Sequence, residues 1–515
     1  MANTLRIPRA HLIMALILPL AVILGYFIVD PMEPSSLTVL GLVLAALALP
    51  LMMQWYHPLL IILWNAAMSP AFLPGQPPLW MPVAMVGLLI SLLNRSVNQN
   101  ARFNTVPAIN QSLICLTLVV LVTAYFTGGI GSQIFGSATF GGRRYFYTFL
   151  AVIGYFVMTS QRIPAHRAGW ITALFFLSAL TSMVPDILGL AGNSTSFLYA
   201  IFPPDFSAVE AVTGESASNE MYRIFGLTLS SAGLLFGLLV RYGIRGVFAP
   251  GKIWRAALFV LAFAACLYSG FRSFLVLMGL VFVVQFFLEG LHRTRSLAIL
   301  LGVSLVGLSV VLTQAEKLPL VVQRTLSVLP VKISTVAKMS AEGSSEWRLE
   351  MWKAVLPEVP KHLLLGKGYS INSTDMYFAN DNSNRANQSF HWAVVTGDYH
   401  SGPLSLIIPF GLWGVLAFGW FCWASLRYLY HNYRTGPPEW RIINTFLLSC
   451  FVGRLIFFLF VFGGFYGDLF IFTGIIGLSV SLNGRTREIS IAPEAEPQTD
   501  EELLAEVNAD RDNYP

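Results

Sequence analysis

A histidine stands where the long polar interruption of the chain, residues 314–401, meets the apolar stretch 403–425. This residue, His400, belongs to the run Asp398-Tyr399-His400-Ser401-Gly402. Because imidazole titrates near neutral pH, a histidine at the edge of a membrane span can act as a general base on a lipid-linked substrate. The alternative interpretation is an interfacial histidine that only hydrogen-bonds to the backbone.

Four arginines are candidates for binding an anion near this histidine. Arg272 lies in a short break, Ser269-Gly270-Phe271-Arg272-Ser273, between two apolar runs, where a charge tends to face a cavity or a partner. Arg223 ends the loop 191–223, and Arg143 and Arg144 follow a glycine-rich approach. A guanidinium group presents a fixed fork that suits phosphate oxygens. Interfacial snorkelling and loop salt bridges are the alternatives.

The polar segment 314–401 contains a predicted helix with Ser345 as its N-cap. Three side chains fall on one face of this helix at helical spacing: Trp347, Met351 and Val355. Such a stripe is typical of packing. Arg348, on the same helix, either pairs within the loop or points into a cavity.

Arg454 differs from the other basic residues because it lies inside an apolar span. An unpaired arginine at the centre of a span costs roughly 2.5–3.5 kcal/mol on insertion scales. A structural ion pair with Asp186, Glu289 or Asp468 and a role in ligand binding are both open interpretations.

The elements that carry these residues are predicted to be membrane spans. Apolar residues make up 55% of the chain and charged residues 11%, against roughly 25% charged in soluble domains. Apolar runs near the length of a span recur along the chain. We therefore predict an all-α polytopic membrane protein with about 12–14 transmembrane helices, in which 37–53 and 59–73 are separate spans. The four cysteines all fall in apolar runs and are interpreted as small core residues.

Loop charges predict the orientation of the chain. Seventeen lysine or arginine residues fall in the short loops of one face and four arginines in those of the other, so both termini are expected in the cytoplasm. Four regions follow: an N-terminal bundle of about 11 spans (1–313), an extracytoplasmic loop domain with helices (314–401), C-terminal spans (402–484) and a disordered acidic tail (485–515).

Other chemistries lack the residues that they require. His362, His391 and His400 have no zinc spacing and no accompanying cysteine, so a metal site is not expected. No Walker motif occurs in the sequence, which disfavours an ATP-driven enzyme. A donor substrate must therefore arrive already activated.

The motifs around His400 resemble those of the superfamily of O-antigen ligases, O-antigen polymerases and bacterial O-oligosaccharyltransferases. His400 is followed by Leu404, Gly411 and Gly414, which is the family's spacing of one histidine, one leucine and two glycines. Three further segments are similar in the same order: 222–226 before a span, 269–273 around Arg272, and Arg348-Leu-Glu-Met-Trp352 with the turn 362–368. The likeness covers roughly residues 220–425. A serine follows His400 where the family usually has asparagine.

The resemblance implies a metal- and cofactor-independent membrane glycosyltransferase, similar to GT-C enzymes, in the bacterial inner membrane. Such enzymes move a glycan from undecaprenyl diphosphate to an acceptor hydroxyl on the outer face, in lipopolysaccharide or exopolysaccharide synthesis. His400, Arg272 and Arg223 would be catalytic, and Arg348, Arg143, Arg144 and Tyr222 would bind substrate.

The partners implied by the resemblance are the lipid-linked donor, a glycan or lipid-core acceptor, membrane lipids and other proteins of polysaccharide assembly. No nucleic acid is implied. A transporter or flippase for lipid-linked glycans, which would predict internal repeats, and a non-catalytic scaffold of an export complex are the alternative functions. Ligase and polymerase share the same chemistry and differ only in the acceptor.

Overall fold

The computed structural model describes residues 34–71, 73, 75–97, 103–131, 139–203, 223–375, 377 and 390–484, with five single positions between 18 and 25. Most of residues 1–33, Tyr222 and the acidic tail 485–515 lie outside these residues.

Helices carry almost all of the described chain. The N-terminal helices are α1 (Pro34–Leu63), α2 (Trp80–Val97), α3 (Pro107–Phe126), α4 (Gly142–Met158), α5 (Ala165–Leu177) and α6 (Met183–Ala191). Those of the middle are α7 (Phe225–Val247), α8 (Ile253–Tyr268), α9 (Arg272–Leu288), α10 (Arg295–Gln314), α11 (Leu320–Leu326) and α12 (Thr335–Val355). The remaining α-helices are α13 (Glu358–Lys361), α14 (His391–Thr396), α15 (Gly402–Thr435), α16 (Arg441–Phe460) and α17 (Phe465–Asn483).

Short elements join these helices. The 3₁₀ helices are Ser178–Ser182, Gly192–Ala200, Leu291–Arg293, Ala315–Lys317 and Pro438–Trp440. In the described residues the strands are β1 (Thr139–Phe140) and β2 (Ile371–Asn372), which pair antiparallel.

Eight of the described helices are long and apolar enough to cross a membrane, and α8 and α9 are shorter apolar helices. The predicted all-α polytopic membrane architecture is therefore confirmed, while the count of 12–14 spans stays a prediction. Three of the four cysteines, Cys266, Cys422 and Cys450, are buried and Cys115 is half-buried, as expected of small core residues.

The predicted break between the spans 37–53 and 59–73 is wrong. Helix α1 runs through the positions between them and ends at Leu63. His57, between the two predicted spans, has hydrogen-bond partners inside the bundle. His57 Nε2 lies 2.8 Å from the Met158 carbonyl and 2.9 Å from Ser481 Oγ. Since these groups satisfy the buried imidazole, the helix continues through it.

The helix predicted to have Ser345 as its N-cap belongs to a longer helix, α12, which begins at Thr335. Its N-cap is Ser334, whose Oγ accepts the N–H of Ala337 at 3.2 Å. Ser345 Oγ donates to the Ala341 carbonyl within the helix, also at 3.2 Å. A serine bonded back to the preceding turn does not interrupt a helix, so the polar run around 343–345 is not a boundary.

The apolar stripe of α12 packs against the last turn of the polar segment. Met351 and Val355 are fully buried in a cluster with Ala393, Tyr399 and Ile408, and Trp347 and Trp352 border it. Trp352 Nε1 donates to the Tyr399 carbonyl at 2.8 Å. The predicted packing role of the stripe is confirmed, and these contacts hold α12 beside His400.

A break in α15 anchors the polar segment to the bundle. Gly411 has φ 61° and ψ −160°, and the turn 362–368 docks there. The N–H groups of Lys367 and Gly368 donate to the carbonyls just before the break, at 2.8 and 2.9 Å. The first N–H after the break donates to the Leu363 carbonyl at 2.7 Å. The backbone groups freed by the break are thus satisfied, as a broken membrane helix requires.

Candidate active site

The imidazole of His400 is enclosed between two aromatic rings from different elements. Its ring centroid lies 5.3 Å from that of Trp347 on α12 and 5.0 Å from that of Phe462, in the connection 461–464 between α16 and α17. His400 also has a positive φ of 49°, which is uncommon for a residue other than glycine. The backbone therefore turns sharply just before α15 begins and directs the ring into this aromatic clamp, formed by Trp347 and Phe462.

The hydrogen bonding of His400 leaves its ring available. Its Nδ1 lies 3.8 Å from Asp398 Oδ1, which is too long for a hydrogen bond. Among the described residues no group hydrogen-bonds to the buried Nδ1. The side chain as a whole keeps 26% of its surface exposed, so a ligand can reach it. Within the part of the chain that the structure describes, no backbone group hydrogen-bonds to the ring, so the alternative interpretation of an interfacial histidine held by the backbone has no support there.

The surroundings of His400 favour its neutral form. Burial lowers the pKa of His400, and the nearby charges of Arg348 and Arg223 lower it further, whereas Asp398 opposes them. A neutral imidazole at neutral pH has a free nitrogen lone pair that can accept a proton.

Arg348 on α12 points toward this group rather than along the loop. Its Cζ lies 5.6 Å from the ring centroid of Phe462. Burial lowers the pKa of Arg348, and so do the charges of Arg272 and Arg223. Arg348 does not belong to the wall of either cavity that borders this region, so the alternative in which it points into a cavity stays a prediction.

Arg272 begins α9 and spans the gap to the polar segment. Its guanidinium donates to Ser327 Oγ at 3.2 Å, to the Ala341 carbonyl at 3.0 Å and to Ser344 Oγ at 2.7 Å. These three partners are uncharged, so they orient the group and leave its positive charge in place. Arg272 also borders a polar cavity of about 700 Å³. Its wall includes Lys332, Lys338 and Glu342.

Arg223, which lies two residues before the start of α7, reaches the same region. Its Cζ lies 6.0 Å from the ring centroid of Phe271, the residue before Arg272. Arg223, Arg272, Arg348 and His400 thus come from four separate stretches of the chain. Together they form the cationic cluster, a name used below for these four residues. Three positive charges held this close repel one another, and a bound anion relieves that repulsion.

Arg143 and Arg144, which are not part of the cationic cluster, lie near tyrosine side chains. The Cζ of Arg144 lies 5.6 Å from the ring centroid of Tyr369 and 5.3 Å from that of Tyr466. Burial raises the pKa of Tyr399 to about 12, although the charge of Arg144 opposes this rise. Arg143 lies over Tyr147 instead, at 6.0 Å. Their predicted role in substrate binding stays a prediction.

A mainly apolar cavity of about 440 Å³ is bordered by Asp398 and lined by side chains of α5, α7, α9, α16 and α17. Aromatic rings dominate its wall, among them Phe225, Phe274 and Phe462. Such a volume lies in the range of small-ligand sites. In the described part of the chain, no group of three or more histidine, cysteine or acidic residues is arranged to hold a metal ion.

Of the predicted interpretations of Arg454, the ion pair with Asp468 is observed. Its Nη2 and Nε lie 2.7 and 2.8 Å from Asp468 Oδ1, and both residues border the apolar cavity. Glu289 has another task, since its carboxylate accepts the backbone N–H groups of Ile244 and Arg245 at a break in α7. The mid-span arginine is therefore neutralised in place.

Comparison with known families places most of the cationic cluster in one domain. Residues 257–419 match the family model described as O-antigen ligase. These residues are called the O-antigen ligase domain, after the family that they match. The predicted resemblance to the O-antigen ligase and polymerase superfamily is thereby confirmed. The O-antigen ligase domain includes Arg272, Arg348 and His400, whereas Arg223 and Phe462 lie outside it. Comparison with curated proteins finds no match.

Sequence reasoning missed two residues of the site. Phe462 lies in the short Val-Phe-Gly-Gly connection between two apolar spans, and nothing in that pattern points to His400, 62 positions earlier. Trp347 was assigned to packing, which is correct for one side of its ring but omits its contact with the histidine. The paired glycines at 463 and 464 were the available signal, because they mark a tight approach of the backbone.

Proposed function

We propose that the protein is a glycosyltransferase that moves a glycan from undecaprenyl diphosphate to an acceptor hydroxyl at the outer face of the bacterial inner membrane. The observation that carries the proposal is the cationic cluster: the charges of Arg348 and Arg223 act on one histidine with a lowered pKa, Arg272 acts on Arg348, and three of the four residues lie in the O-antigen ligase domain. Both termini of the chain would then lie in the cytoplasm.

In this reaction the acceptor oxygen forms a bond to the anomeric carbon of the donor glycan. The bond from that carbon to the diphosphate oxygen breaks, and its electron pair leaves with the diphosphate. His400 takes the proton of the acceptor hydroxyl on a ring nitrogen. The neutral state of the imidazole, which burial favours, is the state that this step requires.

The arginines would stabilise the negative charge that develops on the leaving diphosphate. The hydrogen bonds of Arg272 to uncharged partners support this role, because they fix its direction and leave its charge uncompensated. The repulsion among the three guanidinium groups favours the binding of an anion with several charged oxygens. The arginines supply positive charge where some other transferases use a divalent cation.

The two cavities fit the two parts of such a donor. The apolar cavity bordered by Asp398 offers an environment for a prenyl chain. The polar cavity at Arg272 is lined by lysine, glutamate and serine side chains that can hydrogen-bond to sugar hydroxyls. The cationic cluster lies near both cavities. This position suits residues that act where the lipid is joined to the glycan.

The test is deletion of the gene followed by glycan profiling and complementation. His400→Ala and Arg272→Ala are expected to leave undecaprenyl-linked glycan accumulated. Two matched substitutions outside the cluster, His391→Ala in the same polar segment and Arg427→Ala at an exposed position of α15, are expected to restore the wild-type profile. Full rescue by both cluster variants would overturn the proposal.

The product distinguishes the two acceptor classes. If the protein is a polymerase, the deletion strain carries single repeat units on the lipid-core acceptor. If it is a ligase, long chains are made but stay unattached.

A further inference from the structure

The connection 461–464 is held by a buried ion pair outside the O-antigen ligase domain. Asp468 Oδ1 receives both contacts from Arg454, and Asp468 Oδ2 accepts the N–H of Gly464 at 2.9 Å. The side chains of Arg454 and Asp468 expose only 13% and 3% of their surface. The carboxylate therefore ties one span to the backbone of the connection that follows it.

The connection is also fitted tightly against the start of α15. A Cβ atom on Gly463 would lie 2.9 Å from Gly402 Cα and 2.6 Å from a ring carbon of Phe458. The N–H of Phe465 donates to Ser405 Oγ at 2.9 Å. Because Gly402 directly follows the turn at 400–401, the position of this connection and that of His400 are coupled.

Phe462 is the residue through which the position of the connection 461–464 affects the site. Its ring is one side of the aromatic clamp on His400, and the guanidinium of Arg348 lies over it. A shift of the connection would move one ring that contacts both groups.

A buried ion pair is a poor source of stability, since desolvation offsets most of its attraction, and an apolar pair of similar size often serves as well. In some proteins such a pair is retained because it fixes a single conformation. We infer that Arg454 and Asp468 are positioning residues that hold Phe462 against His400 and Arg348, and thereby set the geometry of the proposed transfer site. This inference rests on the proposed function.

Asp468→Asn keeps the size of the side chain and removes its charge, so it tests the pair directly. The kcat for glycan transfer is expected to fall about 10- to 100-fold, as for a small misplacement of reacting groups. The loss of Phe462 contact would also expose His400, so its pKa should rise and the acid limb of kcat/KM should move to higher pH. The other charged groups that face His400, namely Asp398, Arg348 and Arg223, are unchanged in this variant.

Phe462→Leu is the second variant, because it removes the ring contact and leaves the ion pair intact. It should reproduce the shift of the acid limb. In the double variant the two losses should not multiply, since both act through the same contact. If Asp468→Asn keeps the wild-type kcat and acid limb, or if the two losses multiply, the inference is wrong.

A readout without catalysis separates this inference from the proposed function. Carbethoxylation of His400 by diethyl pyrocarbonate, followed by mass spectrometry of the full-length protein in detergent, measures the exposure of the ring. The rate is expected to increase several-fold in Asp468→Asn and in Phe462→Leu, with His391 as the internal control. An unchanged rate refutes the positioning role. If the wild-type protein shows no glycan transfer but His400 is labelled faster in the two variants than in the wild type, only the proposed function is refuted.

Discussion

Arg348→Met separates the contribution of Arg348 to anion binding from its contribution to folding. Methionine preserves an unbranched apolar stem that can still pack over Phe462. Burial and the charges of Arg272 and Arg223 lower the pKa of Arg348, which means that the fold disfavours its charged form. Removing that charge should therefore leave the melting temperature unchanged or raise it.

Binding of the donor should change in the opposite direction. A hydrogen bond to a charged group contributes about 1.5–3 kcal/mol. At about 1.4 kcal/mol per factor of ten, loss of the Arg348 contact should weaken binding of the diphosphate by roughly 10- to 150-fold. Arg348→Lys keeps the charge but loses the planar fork, so its loss should be smaller.

The assay has two parts. The KM for the lipid-linked donor is measured in a transfer reaction, and inorganic diphosphate is titrated in a thermal-shift experiment with the purified protein. Arg427→Met, at an exposed position of α15, is the matched control and should behave like the wild type in both. Donor KM and diphosphate protection that are both unchanged in Arg348→Met would show that Arg348 does not bind the anion. A large drop in its melting temperature would show that the repulsion argument is wrong.

Three further outcomes are expected. The pKa of His400 is lowered from 6.5, so the kcat/KM of the wild type should fall only below that pH. Because the Asp398 carboxylate raises the pKa of His400, Asp398→Asn should move this acid limb of the pH–rate profile to still lower pH. Gly411→Ala should destabilise the protein by about 1–3 kcal/mol, since its φ is 61° and a Cβ would lie within 2.8 Å of two carbonyl oxygens; Gly419→Ala, which has open space, is the control, and equal melting temperatures would contradict the argument. Glu289→Gln should destabilise by about 1–3 kcal/mol, because the carboxylate holds two backbone N–H groups at 2.8 and 3.2 Å, while the donor KM stays constant; a changed KM would point to a role in the site.

Local patterns identified the parts of the site that lie in or beside the motifs. The break around Arg272 and the end of the polar segment at His400 are readable in the sequence because each is an abrupt change of polarity over a few residues. The start of α12 was misread for the same reason. A short polar run resembled a boundary, and only the hydrogen bonds of its serines to the preceding turn show that the helix continues.

The predicted break in α1 failed through a related effect. His57 is polar and followed by proline, which favours a loop. In the bundle, however, Met158 and Ser481 supply the partners that water would supply in a loop. Whether a polar residue ends a membrane helix depends on what the neighbouring helices offer it, and that information is not local.

By itself, the sequence determined the membrane character of the protein, its helical class, the O-antigen ligase domain and the candidates for its chemistry, since these depend on composition and on spacing along one segment. The tertiary structure decided which candidates meet. It brings Arg348 and His400 to the same ring, that of Phe462, leaves Arg144 among tyrosines and pairs Arg454 with Asp468. The physical reason is that contacts between helices depend on crossing angles, breaks and packing that involve distant parts of the chain.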